Sequence, residues 1–105
     1  MLFMAVFLVT LHRIGPLWDP SLPLEGQVDW SAHATYMDEL VAQGFVVLGG
    51  PLGDELRVVL AIESASPDAI RETLARDPWH ESHLLIDSIE PWTIRLDGRP
   101  SSAPR

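Results

Sequence analysis

Between residues 29 and 52 the apolar positions follow a helical period and then become continuous. Trp30, His33, Met37 and Leu40 recur at i, i+3, i+7 and i+10, which is one face of an α-helix. Asp38, Glu39 and Gln43 fall mostly elsewhere. Gly44 stands where a helix C-terminal glycine belongs, because glycine enters the left-handed conformation without steric cost. The spacing predicts a helix over about 27–43, capped by Asp29 or the turn before it. The apolar run 45–49 follows at once and predicts a buried strand that stops at Gly49-Gly50-Pro51. One member of the helix's apolar face is a titratable imidazole, His33, and its presence there frames the question of function.

The rest of the chain falls into place around this unit. Residues 2–12 form a continuous apolar run rich in aromatic and β-branched types, the pattern of a strand covered on both faces. Residues 13–25 carry Gly15-Pro16, Trp18-Asp19-Pro20 and Pro23, which predicts an ordered loop lying over a surface. Gly53-Asp54-Glu55 has turn chemistry between two apolar runs and predicts a hairpin into a strand over 56–62. Ser66 before Pro67 is an N-cap followed by proline at the first helical position. The helix it opens runs to about residue 76, with Ala69, Ile70, Thr73 and Leu74 inside and Asp68, Arg71, Glu72 and Arg76 outside. Asp77-Pro78 stops it, since the residue before proline is pushed out of the helical region. An irregular stretch over 79–83 leads to a last strand over 84–94, bent at Pro91. Residues 1–97 are read as one domain and 98–105 as a flexible tail.

The order is βαββαβ, which predicts an α+β fold of ferredoxin-like type: a four-stranded antiparallel sheet with two helices on one face. Two helices cover one face only, so the strands should alternate apolar and polar. The first three strands are apolar on both sides instead. The uncovered face therefore needs a partner, and the simplest is the same face of a second copy related by a two-fold axis. The expectation is a homodimer, a dimeric α+β barrel.

Composition narrows the chemistry. The 105 residues hold 47 % hydrophobic types, enough for one small core. A net charge of −8 opposes nucleic acid and anionic membranes as partners. The seven basic residues are all arginine, so no side-chain amine is there for Schiff-base chemistry. With no cysteine, thiolate nucleophiles, disulfides, iron–sulfur clusters and cysteine zinc sites are excluded, and a cytoplasmic location fits. Residues 1–11 lack the basic start and cleavage site of a signal peptide and fall short of the roughly 20 residues a membrane helix needs. They read as part of the first strand.

A set of motifs carries a family resemblance over about residues 2–99. They are His33 with Leu40 and Gly44, Gly49-Gly50-Pro51-Leu52, Asp77-Pro78-Trp79 and Pro91-Trp92. The loop from Gly15 to Pro20 and the ending Leu96-Asp97-Gly98-Arg99 look like a subgroup's. In this order the chain resembles the YCII-related (YciI-like) proteins of the dimeric α+β barrel superfamily. The resemblance implies a dimer of ferredoxin-like subunits and a site built on a histidine–aspartate pair, which maps onto His33 and Asp77. Most such proteins have no established reaction. One relative is a dehydrochlorinase acting on a chlorinated hydroxyhydroquinone, and the superfamily includes muconolactone isomerase and cofactor-free monooxygenases.

His33 and Asp77 are thus the candidate catalytic residues. A carboxylate beside an imidazole selects its tautomer and orients it, and histidine exchanges protons near neutral pH. Each also has a plainer reading: a helix histidine bonded to a backbone carbonyl, and an aspartate capping its own Asp-Pro turn. Trp18, Tyr36, Met37 and Trp79 are candidates to line an apolar pocket for a small-molecule ligand. Gly50 and Pro51 are candidates for close approach of a ligand to backbone, against a strand end leading to the hairpin. His80 and His83 flank Glu81, but without a third ligand at a recognised spacing they read as a solvent-facing turn, with no metal and no cofactor. A highly anionic ligand is disfavoured by the charge, although Arg13 and Arg57 leave room for one carboxylate. Two functions are consistent with all this. One is acid–base catalysis (proton abstraction, isomerisation or elimination) on a small, partly apolar molecule. The other is a non-catalytic small-molecule-binding or stress-related homodimer.

Overall fold

Six elements follow one another in the predicted order in the computed structural model, which describes residues 4–100. They are β1 (Ala5–His12), α1 (Trp30–Ala42), β2 (Val46–Pro51), β3 (Arg57–Ser64), α2 (Pro67–Leu74) and β4 (Leu85–Pro91). The start of the predicted first strand, residues 2–3, and the tail beyond residue 100 lie outside the described residues.

The strands form one antiparallel sheet in the order β2-β3-β1-β4. Each βαβ crossover therefore skips one strand, which is the ferredoxin-like arrangement. Phe7, Val9 and Leu11 of β1 stand opposite Ile62, Leu60 and Val58 of β3. All six project to the side of the helices. There they join Leu40 of α1 and Ile70 and Leu74 of α2 in one hydrophobic cluster, so both helices share one face of the sheet.

Local chemistry accounts for the helix ends. Gly44 adopts φ +78°, Phe45 N–H bonds Leu40 C=O at 3.0 Å, and Gly44 N–H bonds Val41 C=O at 3.0 Å. These two bonds define a Schellman motif; its C3 residue, Leu40, belongs to the core, and its C″ residue, Phe45, packs against that core half-buried. Ser66 Oγ accepts from Ala69 N–H at 3.1 Å, with Pro67 next, as predicted. The hairpin also forms: Asp54 accepts from the N–H groups of Leu56 and Arg57, and Glu55 takes the positive φ the turn requires.

The start of α1 differs from expectation. A 3₁₀ turn, Leu24–Gly26, comes first and the α-helix begins at Trp30. Asp29 is left-handed, φ 63°, and its side chain makes no capping bond. The tie is Gln27, 4 % exposed, whose amide donates to the carbonyls of Asp19 and Leu22 and accepts from Asp19 N–H. The 13–28 loop is held by this buried amide rather than by a helix cap.

On the opposite face the register places Val6 and Leu8 of β1, Val59 and Ala61 of β3, and Leu48 of β2. Leu48 is 62 % exposed. No helix among the described residues is long and apolar enough to cross a membrane.

Candidate active site

His33 lies in the first turns of α1, where its N–H bonds the Asp29 carbonyl. Asp77 lies in the turn after α2, anchored by its own N–H to the Leu74 carbonyl at 3.1 Å. Packing both helices on one sheet face brings the two side chains together across 44 residues of sequence. His33 Nδ1–H donates to the Asp77 carboxylate, at 2.8 Å from one oxygen and 2.9 Å from the other. Asp77 Oδ1 also accepts from Trp79 N–H at 3.0 Å. The carboxylate thus caps its own turn and orients the imidazole at once. Nδ1 carries the proton in this arrangement, which leaves the Nε2 lone pair as the basic position.

Trp79 fixes the plane of the ring. Its indole stacks on His33 with centroids 4.0 Å apart and planes 6° from parallel. On its other face it stacks on His83, at 4.6 Å and 13°. Its Nε1–H donates to the Val28 carbonyl at 2.8 Å, so the indole cannot turn without losing a bond. Trp18 meets the Trp79 edge at 6.0 Å, and Trp30 tilts against both Trp79 and His33.

His83 is fully buried, not solvent-facing as its spacing to His80 predicts. The reason is Gly15. A Cβ there would lie 2.4 Å from the Ser82 carbonyl carbon, so only glycine lets the loop after β1 press onto this turn. Gly15 N–H bonds His83 C=O and Leu17 N–H bonds Ser82 C=O, which zips the two segments together. Burial pushes the His83 imidazole below its ordinary pKa, while the Asp29 carboxylate works against that. His80 is half-buried and Glu81 exposed.

His33, Asp77 and Trp79 line a cavity between sheet and helices, together with Arg13, Met37 and His80. Leu11, Val58, Leu60, Leu74 and Leu84 give it apolar walls. About 70 Å³ of it admits water, which at roughly 30 Å³ for each water in the liquid is space for about two. No group of three histidine or acidic residues among the described ones is placed to hold a metal ion.

The other candidate ligand residues are distributed as follows. Met37 and Trp79 line the cavity. Tyr36 belongs to the helix–helix contact, where its hydroxyl donates to the Thr73 carbonyl at 2.6 Å. Trp18 sits behind Trp79, over the Arg13 guanidinium at 5.4 Å from its ring centre. Gly50 pairs with Val59 on the face away from the helices, and Pro51 ends β2 beside the 18–24 loop; neither lines the cavity. The β2 glycine with a packing reason is Gly49, where a Cβ would meet Leu60 Cδ2 at 2.5 Å. Of the two arginines named as room for one carboxylate, Arg13 lines this cavity and Arg57 does not; His83, read as part of a solvent-facing turn, is buried behind Trp79.

No family model, no curated protein and no solved structure matches the chain.

Proposed function

We propose that the chain is a small cofactor-independent acid–base enzyme, similar to the YCII-related proteins, acting on a small, partly apolar molecule as an isomerase or lyase. His33 exchanges the proton at Nε2, and Asp77 holds its tautomer and orientation. The observation that carries this reading is the Nδ1 contact of 2.8 Å to Asp77 at the wall of a mostly apolar cavity. A free base with one fixed orientation, facing a small cavity, suits proton abstraction, isomerisation or elimination. The working unit is a homodimer joined through the open sheet face. Val6, Leu8, Leu48, Val59 and Ala61 support this, since an apolar patch on a sheet face that no helix covers, here beside Glu63 and Glu90, marks an interaction surface.

The test is solvent-deuterium incorporation into a panel of small carbon acids and β-substituted acids, followed by NMR with stoichiometric protein. Exchange or elimination in at least one member, lowered about 10²- to 10⁴-fold in His33→Gln, is expected. A His33→Gln rate within twofold of the parent removes the histidine from the mechanism. A panel that binds but never reacts moves the chain to the non-catalytic binding reading.

A further inference from the structure

The cavity contains a cation that the His33–Asp77 chemistry does not use. Arg13 follows β1, and its side chain is only 10 % exposed. A guanidinium taken this far out of water needs strong acceptors to offset its lost hydration. Those the described residues supply are incomplete. Nη1 donates to the Glu55 carbonyl at 2.7 Å. The Glu55 carboxylate is 3.6 Å away and 74 % exposed, a solvated contact of little strength. Nε is buried with no hydrogen-bond partner among the described residues. Arg57 is a useful contrast: half-exposed and paired with Asp54 at 2.8 Å, it does not line the His33 cavity.

Arg13 lines the same cavity as His33. Asp77, the other full charge there, already accepts from His33 and Trp79. Arg13 therefore supplies the cationic group with unused donor capacity, and the Trp18 ring packed over it limits its movement. Its planar fork matches the two oxygens of a carboxylate bidentately, and the apolar walls suit a monoanion with a hydrocarbon part.

We propose that Arg13 seats the carboxylate of a small monocarboxylic acid in this cavity, with the ligand's short apolar part reaching toward His33. A cavity of about 70 Å³ suits a short-chain acid rather than a larger one. The proposal names the substrate class for the acid–base reading and rests on it, although the binding step stands apart from any reaction.

The experiment titrates the full chain, labelled with ¹⁵N, with propionate, butyrate and crotonate. Their primary amides serve as neutral isosteres. The expected result is saturable binding of the acids with shifts of the Arg13 Nε–H and His33 ring signals, and about 10- to 100-fold weaker binding of the amides. Arg13→Lys keeps the charge but loses the fork and weakens the acids by about tenfold, with the amides unmoved. Amides binding as tightly as acids overturn the proposal, and this comparison needs no variant that has to fold. Saturable acid binding that leaves the Arg13 signal unmoved overturns it too. Binding and turnover by the parent separate the two claims: acids bound but never turned over sink the acid–base reading alone. Turnover of neutral carbon acids with no preference for carboxylates sinks the Arg13 assignment alone.

Discussion

The two faces of the sheet each carry a histidine–aspartate pair, and only one of them is enclosed. On the open side His12, at the end of β1, bonds Asp87, in the bulge where the β1–β4 register shifts. On the helix side His33 bonds Asp77. The side chains of the first pair are 33 % and 35 % exposed; those of the second are 12 % and 6 %. The open pair is held by its own contact and is surrounded partly by water, so it can rotate and is screened. The enclosed pair is fixed by an indole stacked on the ring, a backbone N–H on the carboxylate and the sheet beneath. Residue type is the same in both. What differs is how many other groups hold the pair in place, and preorganised geometry is what acid–base chemistry requires.

The sharpest break of that comparison is to neutralise each carboxylate in turn. Asp77→Asn should lower any turnover about 10²- to 10⁴-fold, because an amide can offer Nδ1 a donor and select the wrong tautomer. Steady-state rates at saturating substrate measure it, and an active Asp77→Asn would mean that the pair is only structural. Next in size is Trp79→Ala. Removing an almost fully buried indole stacked between two imidazoles should cost about 3–5 kcal/mol in urea unfolding. A loss under about 1 kcal/mol would show that the stack is incidental.

Leu8→Glu tests the other face. A carboxylate placed in a buried dimer contact should cost about 2 kcal/mol or more, so sedimentation should show a shift from dimer to monomer. The His33 environment, read by NMR, should stay unchanged. A parent chain that sediments as a monomer at high concentration would refute the covered-face proposal directly.

A smaller effect comes from His83. Burial holds its folded pKa below the ordinary 6.5. Above that value both folded and unfolded chains keep it neutral and its contribution is complete. As pH falls below about 6.5 the unfolded chain takes up a proton that the folded chain refuses, so stability declines toward the folded pKa. The parent should lose up to about 1.4 kcal/mol per pH unit more than His83→Leu in this window. Parallel stability–pH curves for the two would show that His83 is not protected. Smallest of all is Asp87→Asn on the open face, which should change stability by about 1 kcal/mol or less and leave turnover within twofold.

The order of elements, the Schellman end of α1, the Ser66 cap and the inner faces of both helices were legible in the sequence. Each depends on neighbours within about one helical turn or on a strand's immediate composition. The misplaced details are of another kind. Asp29 or the turn before it was the expected cap; Asp29 holds the N-cap position but its side chain makes no capping bond, and the buried Gln27 amide ties the turn before it. His83 looked solvent-facing because its neighbours are polar, but Gly15 allows a second segment to cover it. Tyr36 sits on the right helix, one step round from the cavity, and its hydroxyl found the Thr73 carbonyl instead.

Composition and period by themselves determined that this chain folds as α+β, that it has no thiol or side-chain amine chemistry, and that an imidazole sits on the inner face of its first helix. These follow from residue type and local spacing. Only the tertiary structure decided that Asp77 meets this imidazole, that Trp79 lies flat against it, and that Arg13 shares its cavity. Those contacts join segments tens of residues apart, and their geometry is set by how two helices and a loop settle on one sheet.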